Sequence, residues 1–538
     1  MIRVTCLGAC GGVTGSNYLV ETSRGVKMLV DCGLFQGGKD AERQNWEPWG
    51  FNPGEIKTLV LTHAHIDHCG RVPKLVADGF SGTILATPPT VELCRILLLD
   101  SAHIQENNAG WQTRRNRRSG RKEVQPLYTI RDAEESLSRF SAMERDQIRE
   151  VEPGVKMRFR NAGHILGSSI LELWLDDGEQ EVKVVFSGDL GKDDQLIVRD
   201  AHEVYEADYV FVESTYGDRL HRSFPDSKNE LLEAILHAYE NGEKTMIPSF
   251  AVERTQEIIY VLSEFHREGK LPDIPIYLDS PLAIKATEIF RKNRKYWDEE
   301  AQEIIRQGHD PLDLPNLKFT PDTAQSIAIN EKSGPAIVIA GNGMCTAGRI
   351  KHHLKHNLWR PGASLVIVGF QAQGTTGRRI VEGARTVKIF QEDVAVQAKV
   401  YTIGGFSAHG DQADLLEWIG HFGESRPRVF PVHGEAGAKM VFAEKIREKF
   451  GLEVHIPRLR ESLLLKPREV KVESPGVELS DVPTPDTLHN LLVEMENTIR
   501  SIKRQAPERF KDVKDGDHDL ERLQFIQEEL AGIARDRK

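Results

Sequence analysis

The sequence predicts a layered α/β protein with a second α/β domain inserted into the first and a helical tail behind both. Three observations predict it. Short apolar runs in residues 1–208 end at Gly- or Asp-bearing turns, and several strand ends carry a polar residue: Asp31, His63, His164 and Asp189. Residues 209–398 alternate strand-like runs with amphipathic helical stretches, the order of a mostly parallel sheet. The strand-then-loop character returns over 399–466, where His409 and His433 lie among the turns.

The bounds agree with this. At 538 residues the chain exceeds one ordinary domain. Its hydrophobic content of 39% beside 28% charged residues is that of a globular protein, and no apolar run reaches the ~18 residues of a membrane span. The start, Met1-Ile2-Arg3-Val4-Thr5-Cys6, enters a strand directly and lacks a signal-peptide pattern. Six scattered cysteines without a CxxC pair favour a reducing, cytoplasmic setting. A net charge of −11 excludes a basic-coated surface, so any nucleic-acid partner must meet positive charge gathered locally.

In the first domain Tyr18-Leu19-Val20, Met28-Leu29-Val30 and Lys57 to Leu61 read as strands. The third runs into His63-Ala64-His65-Ile66-Asp67-His68, four potential metal ligands in six residues. Three imidazoles and a carboxylate crowded together are costly unless a cation compensates them. His63 and His65, two apart in extended chain, point the same way and can share one ion, leaving Asp67 and His68 to turn towards a second. His164 sits between glycines, and Asp189 ends the strand Val182 to Phe186. In the insert, Val210-Phe211-Val212, Met246-Ile247-Pro248, Ile276-Tyr277-Leu278, Ala336 to Ala340 and Ser364 to Val368 read as strands, with a helix over Glu253 to Phe265. Beyond 466 a Pro-bearing linker leads to two apolar helical stripes, read as a hairpin that packs on the body or on a second copy in a homodimer.

These segments resemble the metallo-β-lactamase superfamily over residues 1–208 and 399–466. The insert, with Glu213-Ser214-Thr215-Tyr216-Gly217, Phe406-Ser407-Ala408-His409-Gly410-Asp411 and the His433 segment, narrows the resemblance to the β-CASP group. Within that group the chain is most similar to the RNA-cleaving branch, which includes the endonuclease subunit of the cleavage and polyadenylation specificity factor and bacterial relatives. The resemblance implies an αββα sandwich carrying an inserted β-CASP domain. It implies two zinc ions, with manganese as the alternative, and single-stranded RNA as substrate. His63, His65 and His164 would hold one ion, Asp67, His68 and His433 the other, and Asp189 would bridge them. A metal-bound hydroxide would attack the phosphorus, with Asp67 counted among the catalytic residues. His409, oriented by Glu213, would protonate the leaving oxygen. Asp31 would orient a ligand rather than bind metal, and Ser407, Arg378 and Arg379 would contact substrate.

Two rivals stay open. A DNA-processing or small-ester hydrolase of the superfamily is one, although the DNA branch typically lacks a histidine at the place of His433 and small-ester hydrolases lack the insert. A non-catalytic RNA-binding subunit is the other, although such subunits usually lose ligands. Endonuclease and 5′-exonuclease action are not separated. Arg114 to Lys122, the densest positive run, reads as an RNA-binding or simply solvated loop. Gly369 to Arg379 lacks the Lys-Ser/Thr ending of a P-loop. Gly8, Gly11, Gly12 and Gly15 precede a strand and not a helix, so they read as tight turns.

Overall fold

Two β-sheets stand face to face, and period-2 side-chain alternation decides which residues lie between them. A computed structural model describes residues 2–466 apart from Asp177, Glu179, Phe370, Ala372 and Gln373, together with the backbone of Glu469–Ser474. The first sheet runs Glu469–Ser474, Ser462–Lys466, Ile2–Cys6, Tyr18–Glu21, Lys27–Val30, Thr58–Val60, Thr83–Ala86, Phe140–Ala142. The second runs Arg428–Val432, Tyr209–Glu213, Glu181–Phe186, Ser169–Asp176, Val155–Asn161, Arg149–Glu152.

Val4, Val20, Met28 and Val30 of the first sheet pack against Phe159, Leu171, Val184 and Phe211 of the second. Phe211 stacks on Phe186 at 4.7 Å and on Phe430 at 4.6 Å, filling the space between the sheets. It is 1% exposed, so Phe211→Ala would cost about 3–5 kcal/mol. The alternate residues face outward. Leu19, Leu29 and Leu59 meet Val72, Leu75, Leu93 and Leu97 of helices on one side. Val210 and Val212 meet Leu415, Trp418 and Phe442 on the other. The result is the αββα sandwich that the resemblance implied.

The insert holds a parallel sheet ordered Leu317–Phe319, Ile276–Asp279, Ala336–Ala340, Lys244–Pro248, Ser364–Ile367, Lys399–Thr402. Ile276, Leu278, Ile337 and Ile339 line one face, and Met246, Tyr277, Val338 and Leu365 the other. Both faces are buried, which is why these strands read as unbroken apolar runs. The first face shares its core with the sandwich: Leu93 and Leu97 join one cluster with Ile258, Ile284 and Phe290. Polar contacts flank it, including Lys292 with Glu92 at 2.8 Å and the Tyr296 hydroxyl on Glu144 at 2.6 Å.

Strand pairing differs from the expected domain boundaries at both crossings. Tyr209–Glu213 lies between Glu181–Phe186 and Arg428–Val432 in the sandwich, and Lys399–Thr402 pairs with Ser364–Ile367 in the insert. The sequence shows strands there but not their partners. The arginine run is likewise not a plain loop. A helix over Pro88–Arg118 carries it to Ser119 and ends at Gly120, φ +68°. Arginine is a good helix former, and cations in a last turn complement the helix dipole. Residues expected in the linker, Glu469–Ser474, form an edge strand on Ser462–Lys466. The expected helical hairpin, and with it the basis for a homodimer, lies outside the described residues. Among the described residues no helix is long and apolar enough to cross a membrane.

Candidate metal centre

Six strands deliver the site to one end of the sandwich. Asp31 follows Lys27–Val30, His63 follows Thr58–Val60, and His164 follows Val155–Asn161. Asp189 follows Glu181–Phe186, Glu213 ends Tyr209–Glu213, and His433 follows Arg428–Val432. After His65 the chain turns into a short helix, Ile66–Cys69, which brings the His68 ring to 4.0 Å from that of His63. Gly33 makes room for that turn: a Cβ there would lie 1.6 Å from the carbonyl oxygen of Asp67. Asp31 and His433 both hold positive φ, +57° and +48°, an uncommon conformation for residues with a side chain.

Three overlapping groups of ligand atoms result, one of them Asp189, Glu213 and His433. His63, His65, His164 and Asp189 each place one within 4.8 Å of the others, and so do Asp67, His68 and His433. Asp189 touches both. Its Oδ2 lies 3.5 Å from His63 Nε2 and 3.7 Å from His164 Nε2, while Oδ1 lies 3.3 Å from His68 Nε2 and 3.5 Å from His433 Nδ1. Oδ1 is buried and has no hydrogen bond among the described residues. The imidazole nitrogens meet each other: His63 Nε2 and His65 Nδ1 at 3.1 Å, His164 Nε2 and His65 Nδ1 at 3.2 Å, His68 Nε2 and His433 Nε2 at 3.2 Å. Lone pairs converging in a buried space ask for a cation, and this donor set of imidazole and carboxylate suits a borderline divalent ion such as zinc.

Protonation follows from position. Burial lowers the pKa of His63 and His164 well below the ordinary value and that of His65 to about 4, leaving the neutral imidazoles a metal requires. Burial also opposes charge on His68, but Asp189 and Asp31 outweigh it and raise that pKa. Four of the five rings are held from behind. His68 Nδ1 donates to Asp31 Oδ2 at 2.7 Å, and Asp31 in turn accepts from the Thr62 amide at 2.8 Å and from Ser16 Oγ at 3.0 Å. His63 Nδ1 meets Thr62 Oγ1 at 3.1 Å, His164 Nδ1 the Ala408 carbonyl at 3.1 Å, and His433 Nδ1 Thr215 Oγ1 at 3.2 Å.

His409 stands beside the cluster, its ring 4.4 Å from that of His164. Its Nδ1 lies 3.1 Å from both oxygens of Glu213, which also accepts the Leu190 amide at 2.7 Å. Burial pulls its pKa down, but the carboxylates, Glu213 foremost, carry it up to about 9. Ser407 Oγ accepts from the His409 amide at 3.3 Å. Arg378 and Arg379 lie on the helix Thr376–Val381, where Arg378 is paired with Glu382 at 2.6 Å. Among the described residues no hydrogen bond joins either arginine to the histidine cluster. His353 is fully buried against Asp279. Neither Thr62 nor the Ala408 carbonyl is legible in the chain itself, since a hydroxyl beside a ligand and a backbone oxygen carry no pattern.

Comparison with known proteins agrees with the fold. Residues 10–249 match the metallo-beta-lactamase superfamily, 255–380 the Beta-Casp domain, and 393–457 the Zn-dependent metallo-hydrolase RNA specificity domain. Ribonuclease TTHA0252 of Thermus thermophilus is 37% identical over 462 residues, covering 86% of this chain and 100% of that protein. Transcription termination factor FttA of Thermococcus kodakarensis is 31% identical over 482 residues, covering 86% of this chain and 72% of that one. FttA of Methanosarcina mazei is 30% identical over 466 residues, covering 84% and 70%. With its sandwich, its inserted sheet and these relatives, the chain belongs to the β-CASP group of the metallo-β-lactamase superfamily.

Proposed function

We propose that the protein is a ribonuclease that hydrolyses phosphodiester bonds of single-stranded RNA at a two-cation centre, with zinc as the metal and manganese as the alternative. One observation carries this reading: two groups of ligand atoms lie on either side of Asp189, whose carboxylate approaches histidines of both, and a histidine–carboxylate pair, His409 and Glu213, stands beside them. His63, His65 and His164 would hold one cation, Asp67, His68 and His433 the other, with Asp189 between. Bound there, the pair would draw charge from the scissile phosphate and acidify a water to near neutrality.

The protein's own residues supply the rest. Asp31, Thr62, Thr215 and the Ala408 carbonyl fix the rings, so the donor atoms are aimed before substrate arrives. Glu213 keeps a proton on His409 Nδ1 and the ring charged, which leaves Nε2–H to protonate the leaving oxygen. Ser407 holds the His409 backbone, and Arg378 and Arg379 are the proposed phosphate contacts. The choice of RNA is supported by the RNA specificity match, which spans His409 and His433, and by the name of the Thermus relative. Six reduced, buried cysteines support a cytoplasmic setting.

The test combines metal analysis with cleavage of end-labelled RNA bearing blocked or free 5′ ends. Two equivalents of metal and internal products from blocked RNA are expected of an endonuclease. Products confined to free 5′ ends would make it a 5′-exonuclease. A metal-loaded protein that cuts neither RNA sinks the proposal.

A further inference from the structure

The turn that presents His164 is fixed from several directions, and one of them comes from the insert. Within the sandwich, Ser168 Oγ accepts from the amides of His164 at 3.1 Å and Ile165 at 3.2 Å. The Gly167 carbonyl accepts from Thr87 Oγ1 at 2.6 Å and Thr90 Oγ1 at 3.0 Å. The amide of Leu166, between them, is taken by Glu253 Oε2 at 2.9 Å, across 87 positions of sequence.

Glu253 is an unusual residue to find there. It immediately precedes the helix Arg254–Arg267 with φ +65° and ψ −65°, and the Arg254 amide bonds the Val252 carbonyl at 2.9 Å. That is a γ-turn of the rare, strained hand, costly for a residue with a Cβ. The side chain is 1% exposed, and Oε1 has no hydrogen-bond donor among the described residues. Burial, and then Glu257, push its pKa well up, so it bonds the amide largely as a neutral acid. Its backbone starts the insert's helix, the carbonyl accepting the Glu257 amide at 2.9 Å. Glycine would take the turn without strain. What the glutamate adds is the bond to Leu166.

We infer that Glu253 is a positioning residue: it reaches from the insert to lock the His164–Ser168 turn, and so sets the third imidazole of the first cation group. The inference rests on His164 being a metal ligand, as proposed above. It makes ligand geometry depend on how the insert sits against the sandwich.

The experiment compares the full-length protein with its Glu253→Gly and Glu253→Gln variants. Glycine removes the acceptor and relieves the turn, while glutamine keeps an acceptor oxygen and mimics the neutral acid. Zinc affinity is read by chelator competition, Tm by calorimetry, and exchange of the Leu166 amide in the metal-free protein by mass spectrometry of peptides covering 162–169. Glu253→Gly is expected to keep its Tm, to bind zinc at the His164 group about 10-fold less tightly and to exchange that amide faster. On RNA it should lose kcat with KM unchanged. Glu253→Gln should match the wild type throughout. Should Glu253→Gly fold poorly, Glu253→Met, which keeps the volume and loses the acceptor, carries the same expectation for affinity and exchange. Wild-type zinc affinity and exchange in a folded glycine or methionine variant overturn the inference, and so does a glutamine variant as impaired as glycine. Affinity and exchange need no RNA, so a wild type that binds zinc and cuts nothing would defeat the proposed function alone.

Discussion

Two buried polar clusters in this molecule resemble each other in composition and differ in what they need. In the insert, Asp279 is fully buried yet receives His353 Nε2 at 2.7 Å, Ser326 Oγ at 2.6 Å, Arg349 Nη1 at 2.7 Å and Thr320 Oγ1 at 2.8 Å. Donors and acceptors match, and the network closes on itself. In the sandwich, imidazole nitrogens face one another and Asp189 Oδ1 has no hydrogen bond among the described residues. That cluster closes only around something positive. The lesson is that histidine and aspartate in a core do not by themselves mark a metal site; the balance of donors against acceptors does.

The comparison can be broken most severely at Asp189. Asp189→Ala, or His65→Ala, is expected to lower RNA cleavage by about 1,000-fold or more and to reduce bound metal, measured together by rates and metal analysis. A fully active variant would remove the two-cation reading. His409→Ala should separate chemistry from binding: kcat falls by roughly 100- to 10,000-fold while metal content stays. Because the His409 pKa lies near 9 and the charged form is the acid, wild-type kcat should fall as pH rises through about 9. Glu213→Gln should move that fall to lower pH, and a pH–rate profile identical to wild type would exclude His409 as the acid.

Asp31→Asn keeps the size and weakens the grip on His68 Nδ1, so metal affinity should drop about 10- to 100-fold with the fold intact. Chelator titration measures it. The gentlest contrast comes from the insert. Asp279→Asn should cost about 3 kcal/mol of stability by denaturant unfolding, through Arg349 and His353 left short of charge, while metal content remains that of the wild type. Burial opposes the Asp279 charge, but its four donors win and hold the carboxyl at about 2. A depressed carboxylate contributes stability above its unfolded value near 4, and that stability is lost as pH falls through about 2. Acid unfolding of the variant should therefore show less dependence on pH in that window. Loss of metal from Asp279→Asn would erase the distinction between the clusters.

Much of this was legible in the chain itself. Apolar runs ending in Asp31, His63, Asp189 and His433 fix which side chains stand at strand ends, because strand periodicity and turn chemistry are local. The crowding of His63, His65, Asp67 and His68 needs no fold to look like a metal loop. Where sequence reading stopped short, the missing information was pairing. The strands Tyr209–Glu213 and Lys399–Thr402 are plain as strands, but only their neighbours assign them to the sandwich and the insert. The division of ligand atoms into two groups around Asp189 arises from contacts across 37 to 365 residues, such as His68 with Asp31 and with His433. Backbone partners such as the Ala408 carbonyl, and the reach of Glu253 to Leu166, exist only in three dimensions. Sequence determined the chemistry available, because residue type and local period set it. The tertiary structure decided which lone pairs meet, because long-range burial brings them together and leaves them facing one another.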